Sequence, residues 1–367
     1  MFGDLVKAGT KAMGGARFGL LNVLPGALVV TVTTVLARAH AYDLDRPVDL
    51  GAVLAGTGTA TVVVFALAAL VGGILLRPFE RVLVQQLEGY WDPPSPLARL
   101  RGAAMELHRR RRDNAAARLL HADQSLLRYE PGATDLASLV DLERRMDRQT
   151  RGMERDERIR SGYPDDRYVA TPPRERRVTD LMPTRLGNVL RRAERTAGGR
   201  YGLESLLVYP RIYPYLSERL ADAMARQLEL LAATASLSVC FGLLSAITLP
   251  LLGRLDLWSL TPLAAAVLSV LAYRGAVVTA GYTGVVFSTV FDLHRFDLTA
   301  ALRYKLPENP AEEYALNQQL SDYLRDRDAR PLVEDPDLGG RAFSHPEAAP
   351  PAAGPPVAPA GDDGGSA

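Results

Sequence analysis

The sequence predicts an all-α integral membrane protein with four transmembrane helices in two hairpins and a helical cytoplasmic domain inserted between them. Two observations support this fold class: long apolar stretches flank residues 77–226 on both sides, and those central residues are rich in arginine. Because an α-helix rises about 1.5 Å per residue, roughly 20 apolar residues cross a hydrocarbon core about 30 Å thick. Soluble helices usually keep a polar face, which these stretches lack, so buried core helices of a soluble protein are the less favoured alternative.

Four apolar stretches form the predicted membrane hairpins, which occupy residues 20–76 and 227–291. The stretches are Leu20–Ala37, Leu50–Leu76, Leu228–Leu252 and Trp258–Phe291. The first contains Pro25 near its start, where a proline costs least, and the only charged residue in the fourth is Arg274. A secretory signal is the alternative for the first stretch, since basic residues precede it and Ala37-Arg38-Ala39 resembles a cleavage site.

Basic residues near the ends of the stretches predict on which side of the membrane each segment lies. They cluster before the first stretch, after the second and before the third: Lys7, Lys11, Arg17, Arg77, Arg81, Arg211, Arg219 and Arg226. The short loops inside the hairpins carry no such excess. Since loops rich in lysine and arginine stay in the cytoplasm, we expect both termini and the central block there, with the chain in the cell inner (plasma) membrane.

Composition limits the chemistry that the chain can carry. The net charge is only +1, and the single cysteine, Cys240, excludes a disulfide or a cysteine-based metal site within the chain. The sequence lacks a phosphate-binding loop, a dinucleotide fingerprint, a nucleophile elbow and a paired-histidine zinc helix. It therefore predicts no cofactor and gives no support to catalysis. Asp292, His294 and Asp297 lie close in sequence, but their spacing does not favour a metal site.

The predicted cytoplasmic part has several segments. They are an amphipathic N-terminus (1–19), a central helical domain (77–226), a C-terminal helix (292–327) and a disordered tail rich in Pro, Ala and Gly (328–367). In the central domain we expect helices over residues 97–128 and after a cap at Thr134, with an exposed loop over 161–177. Thr184 and Asn309 are predicted to cap two further helices, since their side chains can accept hydrogen bonds from the free backbone N–H groups.

A run of four arginines lies in the first of these helices. Arg109, Arg110, Arg111 and Arg112 are a candidate contact for anionic lipid headgroups, and the alternative is a solvated helix face beside the membrane. Nucleic acid is not predicted as a partner. Acidic residues are interspersed through the block, and aromatic residues placed for base stacking are absent from it.

Three short motifs in residues 183–211 carry a resemblance to a known group of proteins. They are Pro183-Thr184-Arg185-Leu186-Gly187-Asn188, Tyr201-Gly202-Leu203 and Tyr209-Pro210-Arg211. With these motifs and the flanking apolar helices, the chain resembles uncharacterised multi-pass membrane proteins of high-GC Gram-positive bacteria. The resemblance implies a location in a bacterial inner membrane, and it implies no activity or ligand.

Arg274 is the charged residue that most needs a partner, because a charge at mid-membrane costs about 2.5–3.5 kcal/mol on insertion scales. Counted from Trp258, it lies about 24 Å along its helix, close to the cytoplasmic boundary. Glu229 lies near the same boundary on the preceding helix, so an intramembrane ion pair between Arg274 and Glu229 is one hypothesis. The alternative is that the Arg274 side chain extends to the headgroups.

Small residues recur every four positions in two of the apolar stretches. They are Ala52, Gly56 and Ala60 in the second stretch and Ala276, Ala280, Gly284 and Ser288 in the fourth. Such rows let helices approach each other closely. The sequence leaves two interpretations, helix packing within one four-helix subunit and an interface between subunits.

The sequence favours a membrane-anchored scaffold or sensor that recruits cytoplasmic partners, because much of the chain lies outside the apolar stretches and few polar groups lie within them. An oligomeric ion channel or transporter is the alternative, and a membrane enzyme of unknown reaction is the third candidate. The expected partners are the lipid bilayer, anionic lipids, and either further copies of the chain or a cytoplasmic protein.

Overall fold

The structure is a computed structural model that describes residues 16–43, 45–49, 51, 53, 58–91, 97–127, 136–165, 167–171, 174–178 and 180–325. Its helices are α1 (Ala16–Arg38), α2 (Thr59–Leu76), α3 (Glu80–Glu88), α4 (Ala98–Leu127), α5 (Leu136–Arg160), α6 (Arg185–Thr196), α7 (Ser205–Ile212), α8 (Glu218–Thr248), α9 (Thr261–Ala301) and α10 (Pro310–Arg325). The predicted helical character is confirmed for most of these residues, and the four predicted spans with their topology stay a prediction. The predicted disordered tail and most of the predicted N-terminal segment lie outside them.

One antiparallel hairpin departs from the all-α prediction. Strands β1 (Arg167–Thr171) and β2 (Arg174–Val178) follow α5, and Val169 pairs with Arg176 in their register. The predicted loop over residues 161–177 is therefore wrong where these strands form. Its β-branched and aromatic residues favour an extended backbone, a signal that the high charge and the prolines of this segment obscured.

Two of the predicted spans are present as long helices. The side chain of Ser217 caps α8 by accepting a hydrogen bond from Leu220 N, and the helical path continues through a 3-10 turn to Arg254. α9 is a single helix of 41 residues. The segments Glu218–Arg254 and Leu257–Ala301 are long and apolar enough to cross a membrane.

Serine hydroxyls set the antiparallel register between α8 and α9. Ser238 Oγ donates to Ser269 O at 3.1 Å, and Ser269 Oγ donates back to Ser238 O at 2.8 Å. Nearer the turn, Ser245 Oγ donates to Pro262 O at 2.8 Å. These bonds satisfy polar groups among apolar neighbours and link the two helices, as hydroxyl side chains commonly do between apolar helices.

The two spans of the first predicted hairpin stay a prediction. The structure describes an apolar helix at Pro25–Arg38 and a second at Thr61–Leu75, which is bent by 58° from the helix Glu80–Glu88. The described residues thus contain two helices that could cross a membrane, or three if the bent pair is one span.

Glycines bring α1 and α2 into close contact. A Cβ atom on Gly26 would lie 2.6 Å from Gly72 O, so only glycine permits this approach. The predicted row of Ala52, Gly56 and Ala60 lies outside the described residues and side chains, and its role stays a prediction.

A buried arginine joins the turn of the α8–α9 hairpin to the segment after α1. The side chain of Arg254 is only 5% exposed, and it donates to the carbonyl oxygens of Ala41, Asp43 and Arg46 at 3.2, 2.6 and 2.7 Å. Its Nε donates to Asp256 Oδ2 at 2.8 Å. Since an uncompensated buried charge is costly, this complete set of partners fixes the relative position of the two segments.

The helical body consists of α6, α7, α10 and the halves of α8 and α9 farthest from their turn. Its core contains Phe287 and Phe291, whose rings meet edge to face at 5.3 Å, together with Val208, Ile212 and Leu320. The segment Leu257–Ala301 has 45 residues and is therefore about 67 Å long, roughly twice the thickness of a hydrocarbon core. The half of α9 farthest from the turn packs against the other helices of the helical body.

The arm is a second helical hairpin, formed by α4 and α5. Arg118 binds Asp156 through two hydrogen bonds of 2.9 and 2.7 Å, and Gln149 Nε2 donates to Ala122 O at 3.0 Å. These contacts pair the helices along one face and leave their outer faces exposed.

Replacing Arg254 by alanine should lower the stability of the purified chain in detergent by about 2–4 kcal/mol, because three carbonyl groups lose a charged hydrogen-bond donor. The matched control is Arg46→Ala, which removes an exposed side chain that pairs with the exposed Asp43 and should cost well under about 1 kcal/mol. Thermal unfolding of both variants tests this. Equal losses in the two would contradict the assigned role of Arg254.

Candidate functional site

The first motif, Pro183 to Asn188, attaches the end of α3 to α6. Thr184 caps α6 as predicted, since its Oγ1 accepts from Gly187 N at 3.0 Å, and the same hydroxyl donates to Glu88 O at 2.8 Å. Asn188 Nδ2 donates to the carbonyl oxygens of Met182 and Thr184 at 2.8 and 2.7 Å. A Cβ atom on Gly187 would lie 2.0 Å from Glu88 O. The motif therefore has a structural role, because it brings a segment 96 residues away into contact.

The second motif, Tyr201 to Leu203, attaches α10. Gly202 has a φ of +82°, and a Cβ atom there would lie 2.5 Å from Tyr314 O. Asn317 Nδ2 donates to Tyr201 O at 2.9 Å. The predicted cap of this helix is confirmed, because Asn309 Oδ1 accepts from Glu312 N at 2.9 Å. The C-terminal helix thus docks on its own chain.

A cluster of ionisable groups lies where α3 meets α6, beyond the bend that ends the apolar helix α2. Arg191 Nη1 donates to Glu194 Oε2 at 2.9 Å, and Arg191 Nη2 donates to Tyr90 Oη at 3.4 Å. The pKa of Glu88 is raised from 4.5 to about 7, chiefly because burial disfavours its charged form and also because Glu194 repels it, while Arg191 acts in the opposite direction. Burial likewise raises the pKa of Glu194. The carboxyl group of Glu88 therefore changes its charge near neutral pH.

A polar cavity of about 370 Å³ adjoins this cluster, between α6 and α10. Its lining contains three arginines and three acidic residues: Arg191, Arg195, Arg325, Glu194, Glu204 and Asp322. Arg325 binds Glu204 through hydrogen bonds of 2.9 and 2.6 Å, and Arg195 is paired with Asp180. Because these cations already have acidic partners, the cavity is balanced in charge and suits a small polar ligand better than a strong anion.

The described residues show no metal centre. No group of three or more His, Cys, Asp or Glu side chains in the described part of the chain could hold an ion. Asp292 accepts a hydrogen bond from Tyr201 Oη at 2.6 Å, and His294 Nδ1 lies 2.8 Å from Asp297 Oδ2. Asp292, His294 and Asp297, the three side chains considered as metal ligands from the sequence, therefore make local polar contacts.

The four-arginine run is not one uniform basic patch. Arg109 and Arg110 both bind Glu106, each at 2.8 Å, and Arg112 is buried and lies 3.0 Å from Asp113. Only Arg111 of the four is exposed without a neighbouring acidic residue in contact among the described residues. Lipid binding by this run stays a prediction, and Arg111 is the member best placed for it.

The structure places Arg274 and Glu229 about one helical turn apart in depth. Extending the register of the serine contacts sets Glu229 opposite Val278. Arg274 is exposed and Glu229 is half-exposed, and among the described residues no hydrogen bond or ion pair joins them. Their pairing stays a prediction.

The small-residue row of α9 is buried inside the chain. Ala276, Ala280 and Gly284 face α6, and a Cβ atom on Gly284 would lie 2.7 Å from Ala193 Cβ, whereas Ser288 is half-buried. The row is therefore a contact between two helices of the same chain. The helix packed against it is α6, which is not one of the predicted spans.

Sequence reasoning missed the cluster around Glu88. Arg191 and Glu194 are three residues apart on one helix, which is a weak signal for a pair. Nothing in the local sequence marks Glu88, because its burial depends on a contact with a distant segment.

Comparison of the chain with protein-family models, with curated proteins and with solved structures found no match. The resemblance to multi-pass membrane proteins of high-GC Gram-positive bacteria stays a prediction.

Gly187→Ala should destabilise the chain by several kcal/mol, because its new Cβ atom would overlap Glu88 O and separate α3 from α6. The matched control is Gly102→Ala on α4, where no atom lies within 4 Å of the added Cβ. That change should be neutral or stabilise by up to about 1 kcal/mol, since alanine favours helix more than glycine does. Thermal unfolding of both variants measures the contrast, and a stable Gly187→Ala protein would contradict the close contact.

The contribution of Glu88 to the stability of the chain should fall as the pH rises from about 4.5 to about 7. The folded state retains the Glu88 proton up to pH 7, whereas the unfolded state releases it near pH 4.5, so folding takes up a proton within this window. Glu88→Gln should match the parent at pH 5 and unfold at a higher temperature above pH 7. Glu154→Gln, on the exposed face of α5, serves as the control. Parallel pH profiles for parent and Glu88→Gln would exclude this effect.

Proposed function

We propose that the chain is a bacterial inner-membrane protein with four transmembrane helices, and that it acts as a membrane-anchored scaffold presenting the arm to a soluble cytoplasmic partner. The observation that carries the proposal is the arm itself. Its two helices, of 30 and 25 residues, are held to each other along one face and expose the other faces. A hairpin of this length is a large recognition surface on a chain whose core lies elsewhere.

Contacts outside the long helices support the proposed topology. α1 packs on both α2 and α8, and Arg254 joins the loops at one end of these helices. Basic residues cluster toward the opposite end, beside the helical body. With the positive-inside rule, this arrangement favours a cytoplasmic helical body and arm, and it places the Arg254 contacts on the outer side.

The charge of the arm indicates the chemistry of the partner. α4 and α5 together carry 14 arginines against 9 acidic residues, a net charge of +5, while the whole chain has only +1. Leu100 and Leu107 are exposed among these charges on α4. Basic surfaces steer acidic partners and apolar side chains then add contact energy, so the partner is expected to be a soluble protein with an acidic face.

The cavity beside α6 supports the sensor form of the same proposal. It lies against Arg191 and Glu194, which also form the cluster with Glu88. A small polar ligand there would change contacts between the end of α3 and α6, the connection between the apolar helices and the helical body.

An oligomeric channel or transporter is the second candidate, and one observation favours it. Among the described side chains, the hydroxyl groups of Thr33 and Ser236 are buried in apolar helices without a hydrogen-bond partner. In a channel, unsatisfied hydroxyl groups of this kind would line the path and contact the water or ions inside it. Ion flux through liposomes that contain the purified chain separates a pore from a scaffold.

The scaffold proposal predicts salt-sensitive retention of a soluble protein by the full chain in native-like membranes. Leu107→Asp combined with Arg111→Glu should abolish this retention, because the changes remove the exposed apolar contact and reverse the free charge. Arg219→Glu, exposed at the start of α8, is the matched control and should retain the partner. Quantitative mass spectrometry of captured proteins, with thermal unfolding as a check on folding, gives the readout. Equal capture by both variants, or no soluble protein above background, would reject the arm as the recognition surface.

A further inference from the structure

Arginines from two separate helices lie beside one aromatic pair, where the arm meets the start of α6. His108 on α4 is half-buried, and its Nδ1 lies 2.9 Å from the hydroxyl of Tyr163, just after α5. The two ring centroids are 5.7 Å apart, and Tyr163 is only 6% exposed. Arg111 follows His108 by one helical turn on the same side of α4, and Arg185 is the first residue of α6. We refer to these four residues as the His108 site.

Both arginines act electrostatically on the aromatic pair. Burial lowers the pKa of His108, and the charges of Arg111 and Arg185 lower it further. Burial raises the pKa of Tyr163, while the same two arginines, followed by Arg112, act in the opposite direction. Because such interactions weaken with distance, both guanidinium groups lie near the two rings. Among the described residues, every charged side chain that shifts these two pKa values is an arginine.

Arg111 and Arg185 differ from their neighbours in having no acidic partner within the described part of the chain. Both side chains are exposed, and neither forms an ion pair there. Arg110, by contrast, binds Glu106 at 2.8 Å. Two guanidinium groups beside the same rings repel each other, and a bound anion would replace this repulsion by attraction.

A phosphate monoester has the charge and the geometry that fit these groups. It carries about −1.5 to −2 charges at pH 7 and offers three acceptor oxygens, to which guanidinium groups donate paired hydrogen bonds. A carboxylate or a phosphate diester has a single negative charge and would balance only one of the two arginines. The partly buried rings of His108 and Tyr163 exclude water from one side, which strengthens the attraction. We propose that the His108 site binds a phosphate monoester group through Arg111 and Arg185.

The site depends on side chains and not on the free end of a helix. At the start of α6, Leu186 N donates to Tyr273 Oη at 3.2 Å, and Gly187 N donates to Thr184 Oγ1 at 3.0 Å. These two backbone donors are therefore already used, and the guanidinium groups supply the contacts to the anion.

The position of the site allows two sources for the phosphate. Tyr273, which contacts the start of α6, directly precedes Arg274 on α9. Under the proposed topology the site therefore lies near the cytoplasmic headgroups, within reach of a lipid such as phosphatidic acid. A soluble phosphate compound would reach the same exposed arginines from the cytoplasm. Only the lipid source rests on the proposed topology, and neither source depends on the arm recruiting a protein.

Isothermal titration of the full chain with inorganic phosphate, in nanodiscs of phosphatidylcholine, tests the site. Arg111→Gln and Arg185→Gln should each weaken binding by about ten-fold or more, because each removes a charged donor. Arg110→Gln, whose side chain is already paired with Glu106, is the matched control and should change binding by less than about two-fold. All three positions are exposed, and thermal unfolding checks that the variants remain folded.

Native mass spectrometry of the same proteins identifies the source of the phosphate. In nanodiscs that contain phosphatidic acid and phosphatidylglycerol, selective retention of phosphatidic acid by the parent and by Arg110→Gln alone would assign it to a lipid headgroup. Binding of inorganic phosphate without such retention would assign it to a soluble compound.

The proposal would be overturned by a parent that binds neither inorganic phosphate nor phosphatidic acid, or by equal losses in all three variants. Equal retention of the two lipids together with no phosphate binding would also overturn it, because it would indicate a general attraction to anionic lipid. A chain that binds phosphate and captures no soluble protein would reject the scaffold alone and leave this site standing.

Discussion

Close packing of α6 on α9 is the contact on which the rest of the helical body depends. Ala276, Ala280 and Gly284 present so little side chain that the backbone of α6 comes near at Ala193. From this position α6 holds three other elements. It binds the end of α3 through Thr184, and Ser205 at the start of α7 donates to Glu194 O at 2.5 Å. Its C-terminal end leads into Gly202, on which α10 docks. A larger side chain in the row would therefore displace several elements together.

Polar groups have different tasks at the two ends of the apolar helices. At one end Arg254 binds three backbone carbonyl groups, whose hydrogen-bonding capacity does not change with pH, and the carboxylate of Asp256, whose pKa this arginine lowers. At the other end Glu88 lies beside a second carboxylate, and burial brings its pKa to about 7. Since charge in a low-dielectric setting is costly unless it is paired, the first end is a fixed connection, whereas the second responds to protons.

Local signals were sufficient to predict much of the secondary structure, and distant contacts were not predictable from them. Thr184 and Asn309 were identified as caps because a cap needs only its own next three residues. The four-residue row of α9 was also visible, since it is a property of one helix. That this row packs against α6 was not predictable, because the contact between two distant segments leaves no signal in the sequence of either segment. Glu88 was missed for the same reason, and the strands after α5 were obscured by charged residues within them.

The uninterrupted backbone of α9 has a mechanical consequence. Its hydrogen-bond ladder runs from Thr261 to Ala301 without an internal proline, since Pro262 lies in the first turn. A helix of that length is about 60 Å long and behaves as a stiff lever. Membranes of different thickness change the tilt of the helices that cross them, and a change of about 10° at one end of such a lever moves the other end by about 10 Å. Under the proposed topology, a change in bilayer thickness would therefore displace the domain at the far end of α9.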